Sequence, residues 1–216
     1  MYGDVKRCCV TNLPSCAFAL LVLRRCVFVS FLALGCFACG QDYYSNQEVR
    51  VSGLPLLTAK SKDLSDVLAA SVEIILRDDE VCCGKGSALE DDIQRSDPKS
   101  LKDVVNRLQG RHLLSDGRPI MVTAEYLPAT SPVSGLINAL TAKQPLLMEW
   151  NSHIYVVYGA IYNTIYSPEG GRTDSILKMF LLDTRFSDAR REVSFDRATD
   201  DWGKVQGLLM LKAAPQ

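Results

Sequence analysis

The chain contains little of two features that many functional sites depend on: histidine and an excess of one charge. Only two of its 216 residues are histidines, which excludes most His-rich metal sites, because imidazole is the commonest metal ligand. The 24 Lys and Arg residues nearly balance the 25 Asp and Glu residues, so the formal net charge is −1. Proteins that bind nucleic acid carry basic patches, and we therefore expect no nucleic-acid partner.

Cysteine is scarce in the part of the chain that should fold. Six of the eight cysteines lie in the first 40 residues, and the other two, Cys82 and Cys83, are adjacent. Adjacent cysteines rarely bond to each other, because their side chains usually diverge. No Cys-x-x-Cys pair follows residue 40. The sequence therefore predicts no disulfide scaffold, no zinc site and no cofactor in the folded region.

The overall composition is that of a globular protein. Hydrophobic residues make up 47% of the chain and charged residues 23%, which excludes a disordered chain. The length suits one domain, and a chain of this size can bury a core without help from metals or disulfides.

The first 40 residues have the pattern of a bacterial targeting segment. Arg24-Arg25 precedes an apolar run over residues 26–37, and Ala38-Cys39-Gly40 has the small-x-small form of a signal-peptidase site. This order predicts a signal peptide that begins near residue 22 or 23. It leaves residues 41–60 as a linker and residues 61–216 as the folded domain.

The cysteines at the end of the apolar run suggest a lipoprotein signal as well. Ala33-Leu34-Gly35-Cys36 resembles a lipobox, and Cys39 is a weaker alternative for lipidation. A membrane anchor that is never cut is the third interpretation. Each interpretation predicts export to the periplasm, the cell envelope or the medium, and two of them attach the chain to a membrane through its N-terminal segment.

Apolar residues at helical spacing predict three helices in the domain. The first covers residues 64–75, with Ser65 or Asp66 as its cap. The second is capped by Asp97, has Pro98 at its first helical position and is closed by Gly110, and the third covers residues 132–143. Residues 81–96 have no clear periodicity and are interpreted as irregular. Strands are predicted over residues 119–127, 145–150, 153–162, 176–182 and 206–212. A helical first half before a mostly antiparallel sheet is an α+β fold.

One histidine and one carboxylate occupy the ends of neighbouring predicted strands. His153 opens one strand, and Asp183 closes the next. A carboxylate that hydrogen-bonds an imidazole fixes the tautomer and the orientation of the ring. In a nucleophilic triad the imidazole is the base, and the carboxylate is the group that orients it. Taken alone, each residue also fits a plainer role, as a strand histidine and a turn acid. The nearby Arg185, Arg190 and Arg191 are interpreted as loop charges.

Four segments then follow one another in an order typical of one family. They are Leu-Ala-Ala-Ser-Val-Glu-Ile-Ile-Leu at 68–76, Lys-Gln-Pro-Leu-Leu at 143–147, His-Ile-Tyr-Val-Val-Tyr-Gly at 153–159 and Phe-Leu-Leu-Asp at 180–183. In this order the chain resembles bacterial papain-like cysteine peptidases of the bacteriocin-processing-like, or double-glycine-peptidase-like, type, over residues 56–212. Cys82-Cys83 lies where many members carry a cysteine-rich loop. The resemblance implies a papain-like fold, with His153 and Asp183 in the positions of the catalytic base and its partner.

The chain departs from the family at the nucleophile. When Ala69-Ala70-Ser71 is aligned with the family's Ala-Ala-Ser, the catalytic cysteine falls on Val67. In the family this cysteine lies at a helix N-terminus, which favours the thiolate, and valine can neither ionise nor attack a carbonyl. The oxyanion glutamine also has no counterpart between Leu57 and Asp66. The resemblance therefore implies the fold and a residual His153–Asp183 pair, but not the reaction.

Three interpretations follow. The first is a non-catalytic homologue that keeps its cleft for binding a peptide or a protein. The second is an active thiol peptidase in which Cys83 or Cys82 acts as the nucleophile with His153 and Asp183. The third is an exported α+β domain of unrelated function.

Overall fold

Four α-helices and eight β-strands form within the residues that this computed structural model describes, which are 43–78, 88–114, 116–131, 133–167, 170–194 and 201–216. The predicted targeting segment, with the lipidation candidates Cys36 and Cys39, lies outside these residues. The elements in chain order are β1 (Tyr43–Arg50), α1 (Leu64–Asp78), α2 (Ala88–Ser96), α3 (Leu101–Leu108), β2 (Gly110–Leu113), β3 (Pro119–Pro128), α4 (Val133–Thr141), β4 (Leu146–Trp150), β5 (His153–Tyr166), β6 (Arg172–Leu182), β7 (Arg190–Ser194) and β8 (Val205–Pro215).

The eight strands form one sheet in which every pairing is antiparallel. Seven strands follow the order β2-β3-β8-β4-β5-β6-β7, and β1 pairs with β5. The long strand β5 pairs through residues 153–157 with β4 and through residues 159–166 with β1, so these two strands share one edge of β5. The other edge pairs with β6. The predicted α+β fold with a mostly antiparallel sheet is confirmed.

The segment that the sequence analysis interpreted as a linker belongs to the sheet instead. Strand β1 lies within residues 41–60, and the chain after it buries Val51 and Leu54. The Val51 N–H donates to the Tyr158 carbonyl at 2.7 Å. Gly159 permits this pairing, because a Cβ at residue 159 would lie 2.7 Å from the Val49 carbonyl oxygen. The linker interpretation failed because this strand is polar and lacks the apolar alternation of a half-buried strand.

Helix α1 supplies one side of the core and packs against β5, β8, β4 and α2. It begins at Leu64, before either predicted cap: Asp63 precedes it, and the Asp63 carbonyl accepts a hydrogen bond from the Val67 N–H at 3.0 Å. The capping roles predicted for Ser65 and Asp66 are therefore wrong. Nearly every residue from 67 to 76 is buried, because the sheet covers one side of the helix and α2 another.

Helix α2 was not predicted, and α3 begins later than predicted. Residues 88–96, predicted to be irregular, form α2, which buries Leu89 and Ile93 one helical turn apart. Asp97 does not cap α3. The Leu101 N–H at the start of α3 instead donates to the Glu149 carboxylate of β4 at 3.1 Å. A carboxylate there complements the positive end of the helix, and it ties α3 to the centre of the sheet.

Helix α4 lies within its predicted range and buries Leu136, Ile137, Ala139 and Leu140. Among the described residues, no helix combines the length and the apolar character that a membrane span needs.

Candidate functional site

Asp183 is a buried carboxylate at the predicted site, and several hydrogen bonds hold it in place. It follows the last residue of β6 and is only 3% exposed. Its two carboxylate oxygens accept from Arg185, Oδ1 from Nε at 2.7 Å and Oδ2 from Nη2 at 2.7 Å, and the Arg185 backbone N–H also donates to Oδ1 at 3.2 Å. Such two-bond pairs between guanidinium and carboxylate are strong and geometrically specific.

The charge of Asp183 is stabilised by this partner. Burial by itself raises the pKa of the Asp183 carboxyl, but the hydrogen bonds from Arg185 and the positive charges of Arg185 and Arg191 outweigh it, so the pKa lies below its ordinary value. The same pair raises the pKa of the Arg185 guanidinium. Asp183 is therefore a carboxylate at neutral pH with both oxygens engaged.

Arg185 also extends this network along the sheet. Its Nη2 donates to the Tyr155 hydroxyl at 3.1 Å, and the Tyr155 ring lies 6.0 Å from the Trp150 ring, centroid to centroid. Arg185 was expected to be a loop charge, so this role was not predicted. The available signal was the Asp-x-Arg spacing directly after a buried strand, because a turn brings residues two apart into contact.

His153 lies on the strand next to β6, but it does not reach Asp183. It is exposed, it opens β5 opposite Trp150, and no hydrogen bond joins its ring to the Asp183 carboxylate. Leu182 is paired with Val156, so Asp183 is level with Tyr155 and His153 lies two residues farther along, a rise of about 6.6 Å. The expected hydrogen-bonded dyad of His153 and Asp183 is therefore not formed.

Val67 lies beside the segment that carries Asp183. It is 2% exposed, and its carbonyl oxygen accepts from the Ser71 hydroxyl at 2.7 Å and from the Thr184 hydroxyl at 3.3 Å. The two hydroxyls are themselves 3.3 Å apart. The helix start and the strand end thus meet through a buried hydroxyl cluster, and the side chain at this position is part of the apolar core.

The remaining site candidates cannot be placed. Cys82 and Cys83 lie in residues 79–87, outside the described part of the chain. Within the described part, no group of three or more His, Cys, Asp or Glu side chains is arranged to hold a metal ion.

An exposed aromatic side chain lies next to the ion pair. Phe186 is 41% exposed, and cationic groups of Lys62 and Arg191 lie 5.1 Å and 5.3 Å from its ring centroid. We call this group, Lys62, Phe186 and Arg191, the Phe186 surface. Aromatic rings with neighbouring cations are typical of the residues that anchor protein partners.

A comparison of the chain with family models, with curated proteins and with solved structures found no match.

Proposed function

We propose that this domain is a non-catalytic homologue of papain-like cysteine peptidases that binds a peptide or a protein. The observation that carries the proposal is the ion pair of Asp183 with Arg185, which engages both oxygens of the carboxylate that would orient a catalytic histidine. In a nucleophilic triad this carboxylate must hold the imidazole in one tautomer and orientation.

Recruiting Asp183 to orient His153 would require displacing a buried ion pair, because Arg185 holds the carboxylate level with Tyr155 and not with His153. Leaving one member of such a pair without its partner costs on the order of 3–5 kcal/mol. The buried Val67 at the nucleophile position supports the same conclusion, because its side chain offers no group that attacks a carbonyl. Two of the three triad positions are thus occupied by groups with structural roles.

Binding is supported by the Phe186 surface. Its exposed ring and flanking cations suit a partner that presents an apolar side chain beside a carboxylate. We place this binding outside the cytoplasm, following the signal-peptide pattern of residues 1–40. Nucleic acid is not part of the proposal, because the net charge is −1.

The test is hydrolysis of a broad peptide library by the full-length protein and by a Cys82→Ser/Cys83→Ser variant. We expect no hydrolysis above the uncatalysed rate from either protein, with or without a thiol reductant. Losing a nucleophile from a working triad reduces turnover by about 10⁶, so the two outcomes are well separated. Cleavage by the wild type that disappears in the double variant would establish the thiol peptidase that uses Cys82 or Cys83 and would refute the proposal.

Binding is measured separately, by passing the same library over immobilised wild type and Phe186→Ala protein. Retention of a peptide subset by the wild type, lost in the variant, is the expected result. Equal retention by the two proteins would remove the Phe186 surface from the proposal.

A further inference from the structure

A second surface feature is a cleft between the end of β1 and the start of β7. It has a volume of about 200 Å³, and its lining includes Arg50, Val51, Leu54, Tyr158, Leu182 and Arg190. One water needs about 10–15 Å³ of such volume, so the cleft admits a group as large as one amino-acid residue. Arg190 and Arg191 are consecutive in β7 and point to opposite faces of it, so the cleft is separate from the Phe186 surface.

The two arginines of the cleft, Arg50 and Arg190, have guanidinium N–H groups that can donate to a ligand. Arg50 uses its Nε on Glu48 at 2.5 Å, and its guanidinium lies 3.6 Å from the centroid of the buried Phe180 ring. The described residues provide no partner for its two Nη groups. Arg190 is exposed and has no carboxylate within ion-pair distance in the described chain, and its guanidinium lies 6.0 Å from the Tyr158 ring.

The fold holds these groups in place. A Cβ at residue 159 would lie 2.9 Å from Phe180 and 3.0 Å from the Arg50 side chain, so glycine there lets Arg50 stack on Phe180. The Phe180 and Tyr158 rings are 6.1 Å apart. A continuous series of contacts therefore runs from Arg50 through the buried Phe180 ring behind the cleft and the Tyr158 ring in its wall to Arg190. Stacking fixes a guanidinium plane and leaves its edge free for a planar anion.

We propose that this cleft binds the carboxylate of a ligand with an apolar group next to it, such as the last residue of a peptide. Guanidinium forks match carboxylates with two hydrogen bonds, and the buried Val51, Leu54 and Leu182 supply apolar contacts. Counting Glu48 with the two arginines gives a net charge of +1, which a carboxylate neutralises and a phosphate dianion would reverse. The choice of a peptide rests on the proposed function, whereas the preference for a carboxylate does not.

The test uses the full chain and two probes of the same shape, N-acetyl-leucine and N-acetyl-leucinamide, titrated by ligand-observed NMR. A hydrogen bond to a charged group contributes more free energy than one between neutral groups, by enough to change an affinity about tenfold or more. We expect the acid to bind at least about tenfold more tightly than the amide. Inorganic phosphate should compete with the acid more weakly than acetate does.

The matched variants are Arg190→Gln in the cleft and Arg111→Gln on β2, an exposed arginine at the opposite end of the sheet. Arg190→Gln should raise the dissociation constant of the acid about tenfold, and Arg111→Gln should leave it unchanged, with equal thermal unfolding for both. Equal binding of acid and amide, or equal binding by both variants, would overturn the proposal. Stronger competition by phosphate than by acetate would refute the preference for a carboxylate and would indicate a phosphate ligand. Peptide hydrolysis by the wild type would refute the proposed function and leave this cleft in place.

Discussion

Asp183 and Arg185, two residues apart in the turn after β6, are joined by two side-chain hydrogen bonds of 2.7 Å each. The turn is closed further by the Asp183 N–H, which donates to the Ala189 carbonyl at 2.7 Å, and by the Phe186 N–H, which donates to the Asp183 carbonyl at 3.2 Å. The carboxylate that the family resemblance assigns to catalysis is therefore part of a self-contained turn, and it helps to hold Phe186 at the surface.

Removing Arg185 should destabilise the domain strongly. Arg185→Ala leaves the buried Asp183 carboxylate with only one backbone donor, and we expect a loss of about 2–4 kcal/mol in the free energy of unfolding, measured by urea titration. The control is Arg95→Gln, because Arg95 and Asp91 form an exposed pair and such pairs contribute under about 1 kcal/mol. Equal small losses in both variants would show that the Asp183–Arg185 pair is not a structural element.

The stability of the domain should depend on pH through Asp183. Its pKa in the folded state is depressed, so its contribution to stability is fully present above the unfolded pKa of about 3.9 and is lost as the pH falls through the folded pKa. We expect the urea midpoint of the wild type to fall steeply below about pH 4.

An Asp183→Asn variant should be less stable at neutral pH and should show a smaller fall between pH 5 and pH 2.5, because it has no carboxylate there to protonate. Asp188→Asn is the control, since the Asp188 side chain is 89% exposed and its pairing with Arg191 is long, at 3.6 Å. The pH profile of Asp188→Asn should follow the wild type. A profile for Asp183→Asn that matches the wild type would contradict the assignment.

A thiol introduced at residue 67 should be inert in the folded protein. Val67 is buried among apolar side chains, and such surroundings raise a thiol pKa and block reagents. We expect Val67→Cys to react with iodoacetamide only after unfolding in urea, with labelling at residue 67 followed by peptide mapping. Rapid labelling in the native protein would show that this position opens into a reactive cleft.

Gly159→Ala should weaken the pairing of β1 with β5. The added methyl group would lie 2.7 Å from the Val49 carbonyl oxygen, a backbone atom that cannot move without shifting β1. We expect a loss of about 1–3 kcal/mol in unfolding free energy, with faster amide exchange in residues 46–50. Gly135→Ala in α4 is the control. Its methyl group would meet only the end of the Leu127 side chain at 3.3 Å, and alanine favours a helix, so its stability should change by less than about 1 kcal/mol.

The elements that the sequence predicted well are those with strong apolar periodicity. Helix α1 and strands β3 to β6 each bury a stripe of branched or aromatic residues, and their positions agree with prediction within a few residues. Strands β1, β2 and β7 were missed for a common reason. Each is polar on at least one face. Strands β2 and β7 lie at the two edges of the sheet, and β1 pairs with β5 alone, so backbone pairing rather than side-chain burial holds these strands.

The candidate site was predictable in position but not in chemistry. The alternation of apolar residues placed His153 and Asp183 on neighbouring strand ends. Which partner Asp183 would take depended on the turn that follows, and turn geometry is set by backbone conformation rather than by periodicity. Arg185 is the partner because a residue two positions along a turn is already close, whereas His153 lies three residues beyond Val156, the last residue of β5 that pairs with β6.

Strand β8 comes last in the chain order, yet it lies between β3 and β4 in the sheet. Without residues 205–215, no strand pairing joins β2 and β3 to the strands from β4 to β7. The sheet is therefore continuous only when β8 has paired with both neighbours, and pairing between residues so far apart in the sequence is intrinsically slow.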